Sequence, residues 1–298
     1  MSDLILGQHP LLKKVMPMRV RELAEKRFVA DALLMKVSAD SLAVKFFKDA
    51  EGYGSYEDVP EVGEGSGFKR IGLSEEARLE MIRKYGLEFT FSYEMQKWGT
   101  HGQFERAFRK LSNSVVAMVN NLVYEKIHAA ATAGEGNRVV KSGNYWDAPI
   151  TAPTEGQPVP PTGADNMIAD IVYAKKKAKS KGYKLNTLVI GIDVEAILLS
   201  SKSVRDSLKK DNEDVAFLEG YIGDFLGLSV IVDENYPSDL ALLMERNIAG
   251  EIADAEPLAT ETYNQPEDKT TIGRVTRYTT AYITDPGAVF VYENVLSA

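Results

Sequence analysis

The stretch from Gln103 to Ala131 constrains the fold most, because it contains neither Gly nor Pro and repeats its apolar residues at spacings of three and four. That spacing places them on one side of an α-helix. Such a helix would extend for about 40 Å at 1.5 Å per residue, so it must lie across a large structural unit. The apolar stripe comprises Phe104, Phe108, Leu111, Val115, Met118 and Leu122, and it is widened by Val119, Ile127 and Ala130.

The opposite face of this helix is polar, which predicts that it is solvated or faces a partner. Gly102 and Gly134 are the expected ends. The polar face comprises Glu105, Arg106, Arg109, Lys110, Asn113, Asn120, Glu125 and Lys126.

Composition excludes several classes of site. The 298-residue chain has a net charge of −8, which argues against a general nucleic-acid binder. It has no Cys, so disulfides and thiolate zinc sites are excluded. The histidines, His9, His101 and His128, are isolated and match no metal-binding motif. The glycines match no phosphate-binding loop, so we expect neither a metal nor a cofactor.

The first residues lack the basic and apolar regions of a secretory signal. No apolar run approaches the roughly 18 residues that span a bilayer. We therefore expect a soluble protein that is made in the cytoplasm and does not contact a membrane.

Residues 11–37 are predicted to be mainly helical after Pro17. A cluster of basic residues in this segment is either a partner-binding arm or a solvated helix face. The cluster comprises Lys13, Lys14, Arg19, Arg21, Lys26 and Arg27.

Two predicted strands, 41–48 and 87–93, flank a Gly-rich, acidic insertion at residues 49–73. Long loops of this kind usually bind something or are mobile, so we expect the insertion to reach a neighbouring subunit. Together with two arginines of the long helix, the candidate contact residues are Tyr53, Tyr56, Glu57, Asp58, Glu61, Glu64, Phe68, Lys69, Arg70, Arg106 and Arg109.

After a connector at residues 134–163, alternating helices and strands predict an α/β layer. The chain then ends in long strands rich in Thr, Val and Tyr. The predicted elements are helix 164–181, strand 187–192, helix 193–200 with Asp193 as N-cap, helix 219–226 and strands 229–233, 240–244, 258–263, 271–283 and 288–295, with a hairpin turn at 285–287. We expect an α+β fold in which residues 164–254 are inserted between residues 100–135 and 255–298.

Carboxylates follow two of these strands, where α/β enzymes often bind ligands. Helix capping is the alternative interpretation. The residues are Asp193 and Glu195 after the first strand, and Asp233 and Glu234 after the second. A lysine run, 175–177 with Lys179 and Lys181, either stabilises a helix C-terminus or contacts a neighbouring subunit.

The order of these elements resembles the major capsid (head) proteins of tailed bacteriophages (Caudoviricetes) with the Hong Kong 97-type fold. The resemblance covers nearly the whole chain. It is carried by KYGLEFTFSYEM before the long helix, by NTLVIGIDVEAILLSS and LEGYIGDFLGLSVIVDENYP, and by the final DPGAVFVYENV. It implies an N-terminal arm at 1–38, an E-loop with flanking strands at 39–92, a P-domain at 93–160 and 255–298 with its spine helix at 103–131, and an A-domain at 161–254.

The resemblance also implies a function. Hexamers and pentamers would form an icosahedral virion shell around double-stranded DNA, assembled in the host cytoplasm, with each E-loop over a neighbour's P-domain. A portal and a separate scaffolding protein would be partners, unless a scaffolding segment has already been removed. A decoration protein is a further possible partner, DNA would be contacted nonspecifically, and no enzymatic activity is expected.

Some relatives cross-link a Lys of the E-loop to an Asn of the P-domain. Lys69 could supply the amine, but the corresponding P-domain positions fall near Lys269 and Thr276, so we expect no cross-links. An encapsulin-type nanocompartment shell and a soluble α/β enzyme remain alternative functions.

Overall fold

A computed structural model describes residues 29–49, 61–68, 75–94, 101–133, 137–148, 163–200 and 224–297. The fold is α+β, as predicted. Its elements are α1 (Ala30–Leu33), β1 (Met35–Ser38), β2 (Ala43–Asp49), β3 (Glu75–Met81), β4 (Arg83–Phe91), α2 (His101–Ala133), β5 (Arg138–Val140), α3 (Gly163–Ser180), β6 (Thr187–Ile190), α4 (Ile192–Ser200), β7 (Asp224–Phe225), β8 (Leu228–Val232), β9 (Leu240–Met244), β10 (Gly250–Gln265), β11 (Thr270–Ile283), a 3-10 turn (Pro286–Ala288) and β12 (Val289–Glu293).

The chain forms two compact units, and the first contains the described residues within 1–45, 79–124 and 251–282. Its sheet has the strand order β1-β10-β11-β4, in which β1 runs parallel to β10 and β4 runs antiparallel to β11. The long helix α2 packs on this sheet, and Val115 and Met118 of α2 face Val275 of β11 across a cavity of about 200 Å³. A long helix therefore covers a sheet of long strands, as the sequence predicts.

The buried side of α2 matches the predicted stripe in part. Val115 and Val119 are buried as predicted, whereas Met118 and Leu122 are only half-buried. Asn120, which was assigned to the polar face, is fully buried, and its Oδ1 accepts a hydrogen bond from the backbone N–H of Ala30 at 3.1 Å. That assignment was wrong because a single polar residue on an apolar face can be satisfied by a backbone group from another segment.

The second unit contains the described residues within 46–78, 125–250 and 283–298. Its sheet has the order β5-β12-β9-β6-β8-β7. Strand β6 is central, parallel to β8 and antiparallel to β9, and all four of its residues are buried. Such continuous burial explains why its sequence TLVI is apolar without alternation.

The C-terminal strand corrects the predicted hairpin. Residues 285–287 lead into a 3-10 turn, and β12 then pairs with β9 and β5 of the second unit instead of with β11. The turn is held by buried contacts, since Tyr183 Oη donates to Asp285 Oδ1 at 3.0 Å and Asn137 Nδ2 donates to the carbonyl of Pro286 at 2.7 Å.

Four further element predictions require correction. Residues 35–38 form β1, where a helix was expected to continue. Helix α4 begins at Ile192, so Asp193 lies in its first turn and is not the N-cap. Residues 224–225 form β7, where the end of a helix was expected. Strand β3 returns from the insertion at residues for which the sequence analysis predicted no strand.

Candidate functional site

Strands β2 and β3 form a separate two-stranded ribbon, which pairs with no third strand in the described parts of the chain. Three of its apolar side chains are half-exposed or more: Phe47, Leu79 and Met81 are 51%, 66% and 64% exposed. A two-stranded sheet is at best marginally stable in water. Exposed apolar surface of this kind marks an interaction site. The ribbon is therefore a candidate interaction surface within the described residues.

The sequence analysis missed these ribbon residues. In β3, Ala77, Leu79 and Met81 alternate with charged residues and are all exposed. This alternation has the period of two that is typical of a strand, so it could have predicted β3. The charged Glu and Arg side chains at the alternate positions made the segment look like part of the polar insertion.

Beyond the ribbon, the described residues 61–68 contain three of the predicted contact residues, Glu61, Glu64 and Phe68. All three are exposed, and Phe68 is 83% exposed. A turn closed by a hydrogen bond from Ser66 N to Gly63 O at 3.0 Å shapes the segment, and Gly65 has a φ of +79°.

The other predicted contact residues divide into two groups. Arg106 and Arg109 are exposed on α2, and no described contact places either of them beside Glu61, Glu64 or Phe68. The remaining candidates lie outside the described residues: Tyr53, Tyr56, Glu57, Asp58, Lys69 and Arg70.

A buried ion-pair cluster anchors the start of the described chain to the first unit. Arg277 on β11 is only 3% exposed, and its guanidinium contacts Asp254 of β10 and Asp31 of α1. Desolvation opposes the charge of Arg277, but its hydrogen bonds to Asp254 and the charges of both carboxylates outweigh burial and raise its pKa. Helix α1, which leads into β1, is thus held against β10 and β11.

Another arginine of the same sheet forms a cross-strand group on the surface. Arg274 of β11 lies directly opposite Glu88 of β4, and its Nε donates to Glu88 Oε1 at 2.6 Å. A second nitrogen of Arg274 donates to the hydroxyl of Tyr263 on β10 at 3.1 Å. This group ties three neighbouring strands together on an exposed face of the sheet.

The carboxylates that follow β6 and β8 have structural roles. Asp193 is exposed in the first turn of α4, where an acidic side chain stabilises the helix dipole. Asp233 is buried, and its Oδ1 accepts hydrogen bonds from the backbone N–H and the side-chain amide of Asn235 at 2.9 and 3.0 Å. This geometry is that of an Asx turn, and it supports the capping interpretation over a ligand site.

A cluster of polar side chains in the second unit surrounds His128, near the end of α2. The His128 ring stacks on Tyr236 with centroids 5.9 Å apart, and its Nε2 lies 3.3 Å from the Tyr236 hydroxyl. Burial lowers the pKa of His128 more than the nearby charge of Glu293 raises it. Glu293 is paired with Arg138, whose hydrogen bonds lower the pKa of the carboxylate.

Within the described residues, no group of three or more His, Asp or Glu side chains is arranged to hold a metal ion. Of the described helices, none combines the length and apolar character needed to cross a bilayer.

Comparison with known proteins identifies the family. A family model described as phage capsid protein matches residues 75–292, which is well over half of the chain. The chain belongs to the phage capsid protein family. The predicted resemblance and the Hong Kong 97-type fold are therefore confirmed. A search of curated protein sequences found no significant match.

Several solved structures share this fold over most of their length. A phage-related protein from Bordetella bronchiseptica RB50 is similar at a TM-score of 0.62 and 14% identity, covering 96% of this chain and 98% of the other. A virus-like particle from Pyrococcus furiosus is similar at a TM-score of 0.60 and 14% identity, covering 94% of this chain and 98% of the other. The mature capsid of bacteriophage PhiM1 is similar at a TM-score of 0.59 and 11% identity, covering 89% of this chain and 86% of the other.

Membership of the phage capsid protein family gives the coarse function. The chain is a bacteriophage major capsid protein, a structural component of the virion that assembles into a shell of many subunits. The exposed ribbon and residues 61–68 are accordingly the candidate inter-subunit surface.

Proposed function

We propose that copies of this chain assemble as hexamers and pentamers into an icosahedral shell that encloses double-stranded DNA. The observation that carries the proposal is the exposed apolar surface of the β2–β3 ribbon, to which Leu79 and Met81 contribute most. Burying these side chains is favourable at about 25 cal/mol per Å², so a neighbouring copy that covers them gains stability at every repeat of the lattice. An extended ribbon also suits a shell in which pentamers and hexamers meet at different angles.

In this proposal the ribbon and the insertion between its strands are the E-loop of residues 39–92, preceded by an N-terminal arm at residues 1–38. Residues 93–160 and 255–298 form the P-domain, and 161–254 form the A-domain. The E-loop of one copy lies over the P-domain of the next, and A-domains meet around the symmetry axes.

The proposed partners follow from shell assembly. A scaffolding protein and a portal assist assembly in the host cytoplasm, and a decoration protein is a further possible partner. Packaged DNA is contacted nonspecifically. The chain acts without catalysis, since Asp233 and Asp193 are used in a turn and in the first turn of a helix.

Copies are held together without covalent bonds in this proposal. Of the positions expected for a cross-link in the P-domain, Thr276 is nearly buried and Lys269 lies in the turn between β10 and β11. Assembled shells should therefore dissociate to single chains on a denaturing gel, and a ladder of covalent multimers would contradict this part of the proposal.

The similarity to the Pyrococcus furiosus virus-like particle favours a second candidate, an encapsulin-type nanocompartment shell. Purification of shells from infected or induced cells, followed by nuclease digestion, distinguishes the two. Nuclease-protected DNA of defined length inside the shells supports the phage capsid. Shells that contain protein cargo and no protected DNA support the nanocompartment.

A further inference from the structure

The cavity of about 200 Å³ between α2 and the sheet of the first unit reaches the surface beside β4. Its floor is apolar, since Val115 of α2, Leu258 of β10 and Val275 of β11 are all buried. Its rim includes Ser114 of α2 and Leu87 of β4, which are both exposed. Within the described residues, β4 is the edge strand of this sheet. The cavity therefore opens at the edge of the sheet, where α2 leaves β4 partly uncovered.

The chemistry of the wall favours an apolar occupant. Ser114 Oγ already donates to the carbonyl of Lys110 at 3.0 Å. The guanidinium of Arg277 is already engaged by Asp254 and Asp31. A bound water needs two to four polar partners, whereas an apolar cavity of about 150 Å³ is large enough to bind benzene. The cavity thus has room for one phenyl ring and little that would hold water.

The described chain carries a protruding ring of this kind. Phe68 is 83% exposed, the largest exposed fraction among the described large apolar side chains. It follows the turn in which Ser66 N donates to Gly63 O at 3.0 Å. Residues 61–70 contain two acidic and two basic side chains, so the charges of this segment cancel. The aromatic ring, and not a net charge, is therefore the feature that a partner can recognise.

We infer that the ring of Phe68 from one copy inserts into the cavity between α2 and β4 of a neighbouring copy. Phe68 does not line the cavity of its own copy, and no described residue buries its ring. The inference rests on the proposed shell, in which the E-loop of one copy lies over the P-domain of the next. Residues 61–68 belong to that E-loop, and the buried floor of the cavity belongs to that P-domain. The inference adds the anchor of this contact.

Insertion of the ring removes two apolar surfaces from water at once, the ring itself and the wall of the cavity. Burial of apolar area is the main favourable contribution to protein association. Aromatic side chains that fill desolvated pockets carry a large share of the binding free energy at an interface. The contact is also heterologous, because a ring on one copy meets a cavity on the next, and repeated contacts of this type close into rings of subunits.

Removal of the ring and obstruction of the cavity test the two sides separately. Phe68→Ala should decrease the yield of shells by about tenfold or more, and Phe68→Leu, which remains apolar, should decrease it less. Ser114→Phe places a ring of the same copy at the opening and should decrease the yield similarly, without making the unassembled subunit easier to unfold in urea. Asn113→Phe is the matched control, because Asn113 is exposed on α2 but does not line the cavity. It should assemble normally.

The outcomes separate the inference from the proposed function. Wild-type yield in Phe68→Ala or in Ser114→Phe would overturn the inference. Equal losses of yield in Ser114→Phe and Asn113→Phe would also overturn it, because the loss would not be specific to the cavity. A wild-type chain that forms no shells would instead contradict the proposed function, and the inference with it.

A second measurement does not depend on how the variants with an added ring fold. Because the chain has no Cys, a Gly67→Cys copy can be mixed with a Ser114→Cys copy without competing thiols. An added Cβ at Gly67 meets nothing within 4 Å, and Phe68 stays intact. A short bis-maleimide should join the two thiols in assembled shells and give covalent dimers that contain one copy of each. Adding Phe68→Ala to the Gly67→Cys copy should decrease these dimers.

Three results of this experiment would overturn the inference. The first is assembled shells without the mixed dimers, or with dimers that Phe68→Ala does not decrease. The second is a link within a single chain that carries both cysteine substitutions, which would place the ring in its own copy. The third is a reconstruction of the shells with another protein or a small molecule in the cavity, which would assign the cavity to that occupant.

Discussion

The guanidinium of Arg277 contacts the carboxylate of Asp254 through two nitrogens, at 3.1 and 2.8 Å, while a third contact of 3.2 Å joins it to Asp31. Asp31 and Asp254 are far apart in sequence, and Arg277 brings the beginning of the described chain onto the sheet. The arrangement fixes β1 beside β10, so the first described strand starts from a defined place.

Replacing Arg277 with Ala should therefore destabilise the first unit strongly. Removal of the cation leaves the poorly solvated carboxylate of Asp254 without its counter-charge and Asp31 with Lys36 alone, and breaking a buried pair in this way costs about 3–5 kcal/mol. Urea unfolding of the unassembled subunit measures the effect. Arg274→Ala is the control, because its pair with Glu88 is exposed and should contribute far less. Equal losses of stability in the two variants would contradict the role of Arg277.

His128 should make the folded subunit less stable in mild acid. Its pKa is lowered mainly by burial, so the folded-state pKa lies below the value of about 6.5 in the unfolded chain. As pH falls below that value, the unfolded chain binds the proton first, and stability decreases. The stability that neutral His128 contributes is fully present at pH values above the pKa of His128 in the unfolded chain.

Urea unfolding between about pH 7.5 and 5, a range above the titration of Glu293, checks this sign. His128→Gln should flatten the dependence in that window. A wild-type subunit that becomes more stable as pH falls from 7 to 5.5 would show that His128 is stabilised in its charged form instead.

Gly287 should tolerate no side chain. A Cβ at this position would lie 2.5 Å from Cε2 of Tyr183, a buried ring that is also held by Asp285. Gly287→Ala should cost about 1–3 kcal/mol by overpacking. Gly143→Ala, where an added Cβ meets nothing within 4 Å, is the matched control. Thermal unfolding of both variants measures the difference, and similar melting temperatures would show that the turn can shift.

The ribbon should matter for assembly and not for the stability of the subunit. Phe47→Ser and Leu79→Ser change exposed side chains, so subunit unfolding should stay within about 0.5 kcal/mol of wild type. Shell yield should fall, since the neighbour loses apolar contact area. Glu76→Ser, on the same strand in an exposed ion pair with Arg78, should affect yield less. Sedimentation separates shells from subunits, and normal yields for both apolar variants would contradict the role of the ribbon.

Local periodicity predicted the elements whose environment is uniform along their length. The long helix was found because its apolar spacing is sustained over many turns, and β6 and β9 because fully buried strands are continuously apolar. The family resemblance then supplied the order of the domains. These features depend on residues that lie near each other in sequence, so one sequence is enough to predict them.

Features decided by distant partners could not be predicted in the same way. The sequence from Asp285 to Gly287 matches a hairpin turn, but β11 is already paired on both edges, with β10 and β4, and β12 pairs with β9 and β5 instead. Asn120 looked solvated because its partner, the backbone of Ala30, is 90 residues away. Of the candidate contact residues, exposure of Glu61, Glu64 and Phe68 agrees with the proposed role, while the exposed apolar residues of β3 were hidden by the charges between them.

The most direct test of shell formation is electron microscopy of the purified chain. We expect closed icosahedral shells, and their reconstruction should show hexamers and pentamers with the β2–β3 ribbon of each copy lying on a neighbour. Monodisperse monomers or small discrete oligomers under every assembly condition, with Phe47 and Leu79 still accessible to solvent, would contradict this expectation.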